Sequence, residues 1–436
     1  MLETRSLQLL ADALRHLDHG FSHLLPFTAA IPGDAQMAEV LHETASLLHD
    51  NYPYFHPLYA GQMLQPPHPV ARAAYALALW INPNNHALDG GKASSAMEKE
   101  AVAQLAAMFG WTTFLGHLTS GGTMANLEAL WVAGQLHPGK KILASAQSHY
   151  THQRISGVLQ LPFEHVPTDT QGRMDMAALE ALAARGDIGC VVATLGTTGV
   201  GAIDPLPEIL ALRERYGFRV HVDAAYGGYF TLAGNLSGTA HAAFSRITEA
   251  DSIVIDPHKH GLQPYGCGCV LFRDPAIGTL YRHDSPYTYF SSKDLHLGEI
   301  SLECSRAGAS AVALWATQRL LPLVPGAEFA AGLEASRRAA LAMATRLAAD
   351  PRFLLPFQPE LDIVVWAHRE GSAAAQRIFD EAARLNLHLA LIQLPVAFFN
   401  GQIQSESEHL LCLRSVLMKP EHEAWLDPIF AILETL

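Results

Sequence analysis

From about residue 76 to 320 the sequence alternates short apolar runs with stretches of helical period, and this alternation limits the fold more than any other feature. The strand candidates are Lys141 to Ala146, Gly189 to Leu195, Arg219 to Asp223, Ser252 to Asp256 and Gly268 to Arg273. Helical stretches, notably Met124 to Gln135 and Asp175 to Arg185, separate several of them. The runs are almost continuously apolar, as strands buried on both faces must be. An α/β fold follows, with a largely parallel sheet covered by helices. Ser95-Ala96-Met97-Glu98 has capping-box spacing and predicts a helix running through Phe109.

The flanks read differently. Residues 1–75 begin with an amphipathic helical stretch and pass into a Pro-, His- and aromatic-rich region from Asn51 to Pro69, which is expected to drape over another surface, such as a second subunit. After the helical stretch Ala307 to Leu321, Pro322 and Pro325-Gly326 mark a boundary. Helical Glu328 to Ala349 and strand candidates Leu361 to Ala367 and Leu410 to Met418 then predict a smaller α+β domain. The expected division is therefore an N-terminal segment 1–75, a large domain 76–320 and a small domain 321–436.

Charge and cysteine content narrow the partners. Against 42 Asp+Glu the chain has 29 Lys+Arg, a formal charge of −13, and no basic run, so a nucleic-acid or anionic-membrane surface is not expected. A small-molecule substrate is. Five cysteines without disulfide-scaffold spacing, and the lack of a signal-peptide pattern or membrane span, predict a cytoplasmic protein.

Three constellations carry chemistry. Ser120-Gly121-Gly122-Thr123 forms a glycine-and-hydroxyl turn running into a helix, whose free amides and dipole suit a phosphate; it also reads as a plain helix cap. Asp223 ends an apolar run and is followed by Ala224 and Ala225, where an open parallel sheet places ligands, although a carboxylate there could cap the next helix. Lys259 follows the run Ser252 to Asp256 and lies between His258 and His260. Alone among Lys92, Lys99, Lys140, Lys141, Lys259, Lys293 and Lys419, it has that placement. Near other cations at a strand end it is expected to be a usable amine nucleophile, the alternative being a solvated loop lysine. A phosphate cradle, a carboxylate and an amine are together what pyridoxal phosphate requires.

With these motifs the sequence resembles the pyridoxal-phosphate-dependent group II amino acid decarboxylases. The markers are Thr119 to Asn126, Gln147-Ser148-His149-Tyr150, Ala193 to Thr198, His221 to Ala225 and Asp256-Pro257-His258-Lys259. Together with Pro264 to Gly268 and Arg306 to Ser310, the Asp-Pro-His-Lys stretch looks closest to the compact prokaryotic tyrosine/aspartate decarboxylase branch. The resemblance implies the aspartate-aminotransferase type of fold, a homodimer, and loss of CO2 from an L-amino acid to give an amine. It implies Lys259 as the Schiff-base lysine, Asp223 on the pyridinium nitrogen, and His149 stacked on the ring with Ala225 against the opposite face. Ser120, Gly121, Gly122, Thr123 and His258 would hold the phosphate, and Thr197 would lie close to His149. A loop tyrosine, Tyr287 or else Tyr289, would return the proton.

Met124 departs from the family, which often has an acid there. The runner-up reading is a pyridoxal-phosphate carbon–carbon lyase acting on an amino alcohol; a non-catalytic relative is a third. The pairs His149 and His152, and His258 and His260, lack a third ligand at metal-like spacing, and no metal is expected.

Overall fold

Seven apolar runs pair into one sheet in the computed structural model, which describes residues 2–27, 33–88, 90–282, 301–403 and 406–436. The strands are β1 (Leu115–Thr119), β2 (Lys141–Ser145), β3 (Phe163–Val166), β4 (Ile188–Thr194), β5 (Arg219–Asp223), β6 (Ser252–Ile255) and β7 (Gly268–Phe272). Their order across the sheet is β1-β7-β6-β5-β4-β2-β3. Every residue of β1, β4, β6 and β7 is buried, which is why the apolar runs are continuous rather than alternating.

One strand departs from the parallel pattern. β7 runs antiparallel to both β6 and β1. No helix lies between β6 and β7, and a parallel neighbour needs a crossover, usually helical, so the chain turns back instead. Two strands of this sheet, β1 and β3, and two of the C-terminal sheet, Phe353–Leu354 and Ala390–Pro395, have no candidate in the sequence. β3 is a partly exposed edge, and β1 contains Gly116 and His117 among its few residues. His117 is tolerated inside because its ring bonds the Glu128 carboxylate at 2.9 Å and the Leu118 carbonyl at 2.6 Å.

The N-terminal helices are α1 (Arg5–Gly20), α2 (Asp34–Leu48) and α3 (Pro69–Leu79). Helix α1 packs on α3, whereas α2 buries no residue. The Pro- and aromatic-rich stretch drapes over the chain's own surface. Ala60 N–H donates to the His388 carbonyl, the Ala60 carbonyl accepts from Val416 N–H, and His68 N–H donates to the Leu262 carbonyl.

Helix α4 (Lys92–Met108) corrects the capping-box reading. Its N-cap position is Gly91, three residues of helix precede Ser95, and both Ser95 and Glu98 are buried. The Glu98 carboxylate accepts instead from Leu118 N–H, Asn85 Nδ2 and Arg306 Nη1 at 3.0, 2.7 and 2.7 Å. A buried guanidinium and a strand amide outcompete a local cap for it.

Two further helices, α5 (Gly122–Leu136) and α6 (Thr151–Val158), follow β1 and β2 directly. The C-terminal part forms a separate antiparallel sheet ordered β10-β11-β9-β8 from β8 (Phe353–Leu354), β9 (Ile363–His368), β10 (Ala390–Pro395) and β11 (His409–Val416). The helix Glu328–Ala349 packs on β8 and β9, and its bounds are those the sequence predicts. Among the described residues no helix is long and apolar enough to cross a membrane.

Candidate active site

The parallel strands all end at one edge of the large sheet, and there a cavity of about 310 Å³ opens. Its wall takes residues from the segments that leave β1, β2, β4, β5 and β6, as expected for the carboxyl edge of such a sheet. Ser120, Gly121, Gly122, Thr123, His149, Asp223, Ala225, His258 and Lys259 all line it. Residues scattered over 140 positions of sequence are thereby brought together by strand order alone.

The floor is Asp223, which is 5% exposed. Oδ1 accepts the Ala225 N–H at 3.1 Å, and Oδ2 is 2.8 Å from His152 Nε2. Burial alone would raise this carboxyl. The His152 hydrogen bond and the charges around it outweigh burial and hold it well below the usual carboxylate range, so it is an anion at neutral pH. Behind it, His221 bonds Ser252 Oγ and Asn126 Oδ1, each at 2.8 Å, and Asn126 Nδ2 reaches the Gly122 carbonyl at 2.8 Å. Burial pushes His221 down to about 3, so β5 is joined to the start of α5 through a neutral imidazole.

Lys259 sits on the turn after β6. Its N–H donates to the Asp256 carbonyl at 2.9 Å, and its Nζ lies 3.1 Å from Asp256 Oδ2. The sequence leads one to expect cations beside this amine, whereas a carboxylate lies against it. Gln65 Nε2 donates to the Lys259 carbonyl at 3.0 Å from the N-terminal strap. His149 precedes α6, with Nδ1 bonded to the Thr151 hydroxyl. Burial pushes its imidazole below the ordinary range, against the pull of Asp223. His258 is lowered by burial in the same way, against Asp256, and its ring lies on Tyr265 with centroids 4.8 Å apart.

The glycine turn is built tightly. A Cβ on Gly122 would lie 2.6 Å from Asp256 Oδ2, and one on Gly268 would lie 2.5 Å from the Gly121 carbonyl carbon. Helix α5 begins here, so its first amides lack intrahelical acceptors. The Ser120 amide is already taken by the Glu303 carboxylate at 2.9 Å. Met124 also lines the cavity.

Thr197 is fully buried beside the cavity rather than on its wall. Its Oγ1 accepts the Ala202 N–H at 3.0 Å inside the turn after β4, and Thr194, Gly196 and Thr198 line the cavity at this edge. Tyr287 and Tyr289 lie outside the described residues. His152, Asp256 and Gln65 carry no individual site role in the sequence expectations. Asp256 belongs to a motif already read, and His152 lies three residues after His149, on the first turn of α6. Among the described residues no group of three or more His, Cys, Asp or Glu could hold a metal.

The cavity fits a flat, phosphorylated, carbonyl-bearing cofactor. It offers an amine, an anionic carboxylate, hydroxyls and helix-start amides, and buried polar atoms without protein partners at Thr194 Oγ1, Asp256 Oδ1 and His258 Nδ1.

Comparison with known proteins decides the family. Residues 31–369 match the pyridoxal-dependent decarboxylase conserved domain. The chain belongs to the pyridoxal-dependent decarboxylase family. Its cofactor is pyridoxal 5'-phosphate and its reaction class is the carboxy-lyase reaction on an amino acid. Among similar proteins is a probable L-tyrosine/L-aspartate decarboxylase of Methanothermobacter thermautotrophicus, 29% identical over 71% of this chain and 82% of the relative. An L-tyrosine decarboxylase of Enterococcus faecium is 30% identical over 69% of this chain, which spans 66% of that relative. These relatives agree with the compact prokaryotic branch. Mouse CSAD superposes with a TM-score of 0.78 at 22% identity, covering 97% of this chain and 91% of that one. Oryza sativa TDC, solved with PLP and tryptamine, gives 0.78 at 19% identity, covering 99% and 96%. The fold is therefore that of the aspartate-aminotransferase type, fold type I, as the sequence predicts.

Proposed function

We propose that this family member converts an L-amino acid to its amine and CO2 at the described cavity, with Lys259 carrying the covalent link to the cofactor and Asp223 pairing with its ring nitrogen. One observation carries this reading: an anionic carboxylate and a lysine amine face the same cavity as the amino end of α5. When bound, the cofactor supplies the electron sink that makes loss of the carboxylate feasible. The protein's residues do the rest. Gly121, Gly122, Thr123, the Ser120 hydroxyl and His258 hold the phosphate, with the α5 dipole reinforcing the anion. His149, kept neutral by burial, covers one face of the ring and Ala225 the other. Asp223 holds the ring nitrogen's proton, and Asp256 steadies the lysine amine at 3.1 Å. Thr197 acts one step back, by fixing the turn that carries Thr198.

By the family resemblance, Tyr287 is the donor that protonates the substrate Cα after CO2 leaves, with Tyr289 second. Tyr287→Phe is expected to cut amine formation while substrate binding is kept and, in air, to raise aldehyde, with O2 as the oxidant reduced to hydrogen peroxide and the nitrogen released as ammonia; wild-type amine rates in both tyrosine variants would remove these tyrosines from this role. The substrate class follows the similar proteins, an aromatic or acidic L-amino acid. A homodimer is part of the same proposal, supported by the unburied α2 with Val40, Leu41, Leu47 and Leu48 exposed. The division at residues 75 and 320 and a cytoplasmic location also belong to it, the latter supported by five free cysteines.

A product screen over the proteinogenic L-amino acids and small diamino acids tests the reading. Equimolar CO2 and amine from at least one of them is expected; aldehyde without CO2, from amino alcohols, would replace it with the lyase reaction.

A further inference from the structure

We propose that His152 is a positioning residue for the reaction, holding the Asp223 carboxylate fixed and oriented toward the cofactor's ring nitrogen by donating a hydrogen bond from Nε2 to Oδ2. The inference rests on the reading that Asp223 pairs with that nitrogen, and it adds a residue that does not line the cavity.

The geometry defines the donor. His152 is fully buried, and its Nε2 lies 2.8 Å from Asp223 Oδ2. Nδ1 is also buried and has no hydrogen-bond partner among the described residues. An imidazole with one acceptor beside it places its proton on the nitrogen facing that acceptor, which here is Nε2. The neighbouring ring, His221, is 6.5 Å away between centroids and is already committed to Ser252 and Asn126. It therefore does not compete for Asp223.

The consequence for Asp223 is mechanical as well as electrostatic. With Ala225 N–H on Oδ1 and His152 on Oδ2, each oxygen has a donor and the carboxylate cannot rotate without breaking one of them. The remaining lone pairs are left for the cavity. Helix α6 explains how one segment serves both sides of the ring site. His149 stands just before the helix and lines the cavity, whereas His152, on the first turn, lies under the carboxylate and out of the cavity.

The test uses the holoenzyme loaded with cofactor carrying ¹⁵N at its ring nitrogen, read by NMR and absorbance at pH 7, alongside kcat and KM. Asp223→Asn calibrates the scale by moving the nitrogen signal from pyridinium toward pyridine. His152→Leu removes the donor and is expected to move the signal in the same direction and to lower kcat about tenfold with KM little changed. His152→Gln and His152→Asn keep a polar side chain where the Leu variant does not fold. Gln reaches Oδ2 and is expected to restore signal and kcat; Asn is too short and is expected to resemble Leu. The double variant His152→Leu/Asp223→Asn is expected to be no worse than Asp223→Asn. A wild-type nitrogen signal in both His152→Leu and His152→Asn, with Asp223→Asn shifted, would overturn the inference and leave the Asp223 reading intact. An unshifted signal in Asp223→Asn would overturn that reading and the inference with it.

Discussion

Lys419 and Lys259 both have restricted access to solvent, and they lie in regions built for different ends. Lys419, just after β11, is 4% exposed. Its Nζ donates to the Tyr59 carbonyl at 2.7 Å and stands 5.3 Å from the Tyr59 ring centre, so it clamps the N-terminal strap onto the small sheet. Burial pushes its amine down to about 8, against the charge of Glu421. Lys259 keeps a side chain 19% exposed, toward a cavity, with a carboxylate 3.1 Å away. Burial by itself points to Lys419. Position at the carboxyl edge of the parallel strands chooses Lys259, because a covalent site needs room for a ligand and groups that receive it, and burial alone provides neither.

The largest effect that would sharpen this contrast is on turnover. Lys259→Ala is expected to lower decarboxylation on the order of a thousandfold or more, whereas Lys419→Met keeps it near wild type, measured as CO2 release from folded holoprotein. Equal losses in the two would erase the distinction. Next comes Asp223→Asn, expected to retain the fold and cofactor yet lose about 10²-fold in kcat, since a preorganised charge is removed from a water-poor site. Near-wild-type turnover would reduce Asp223 to a helix cap.

Smaller changes concern the cradle. Thr123→Ala is expected to raise the cofactor dissociation constant about tenfold through a lost charge-assisted hydrogen bond. Gly122→Val acts through a second route, because its Cβ meets Asp256 Oδ2 at 2.6 Å and so displaces the lysine's carboxylate partner as well. Unchanged dissociation in both variants would put the phosphate elsewhere.

The smallest effect lies in the other region. Lys419 has a folded-state value lowered from 10.5 to about 8, so between those limits the unfolded chain binds the proton that the native chain has lost. The penalty for burying the charge is full below about 8 and is relieved as pH rises toward 10.5. Denaturant titrations of wild type minus Lys419→Met are expected to show wild-type stability gaining in that window; a flat difference would mean that the amine is not desolvated.

A residue's role is legible in the sequence where its meaning is local and is hidden where it depends on a distant partner. The runs ending at Asp223 and Asp256 announce buried strands because nearly every position in them is apolar, and the polar residues that follow fall at the ligand edge of such a sheet. The direction of β7 is not encoded in that pattern, since a buried strand looks alike in either sense. His152 meets Asp223 across 71 residues of chain, and Gln65 meets Lys259 across 194, so neither contact has a signature at short range. Glu98 shows the opposite failure, a convincing local motif spent on Arg306 and β1 instead.

The most direct test of the contrast between the two lysines is borohydride reduction of the holoprotein followed by peptide mass mapping. A pyridoxyl adduct is expected on the peptide containing Lys259, with Lys419 unmodified. An adduct on Lys419, or on any lysine other than Lys259, would contradict the assignment of the cavity at the carboxyl edge of the large sheet as the catalytic site.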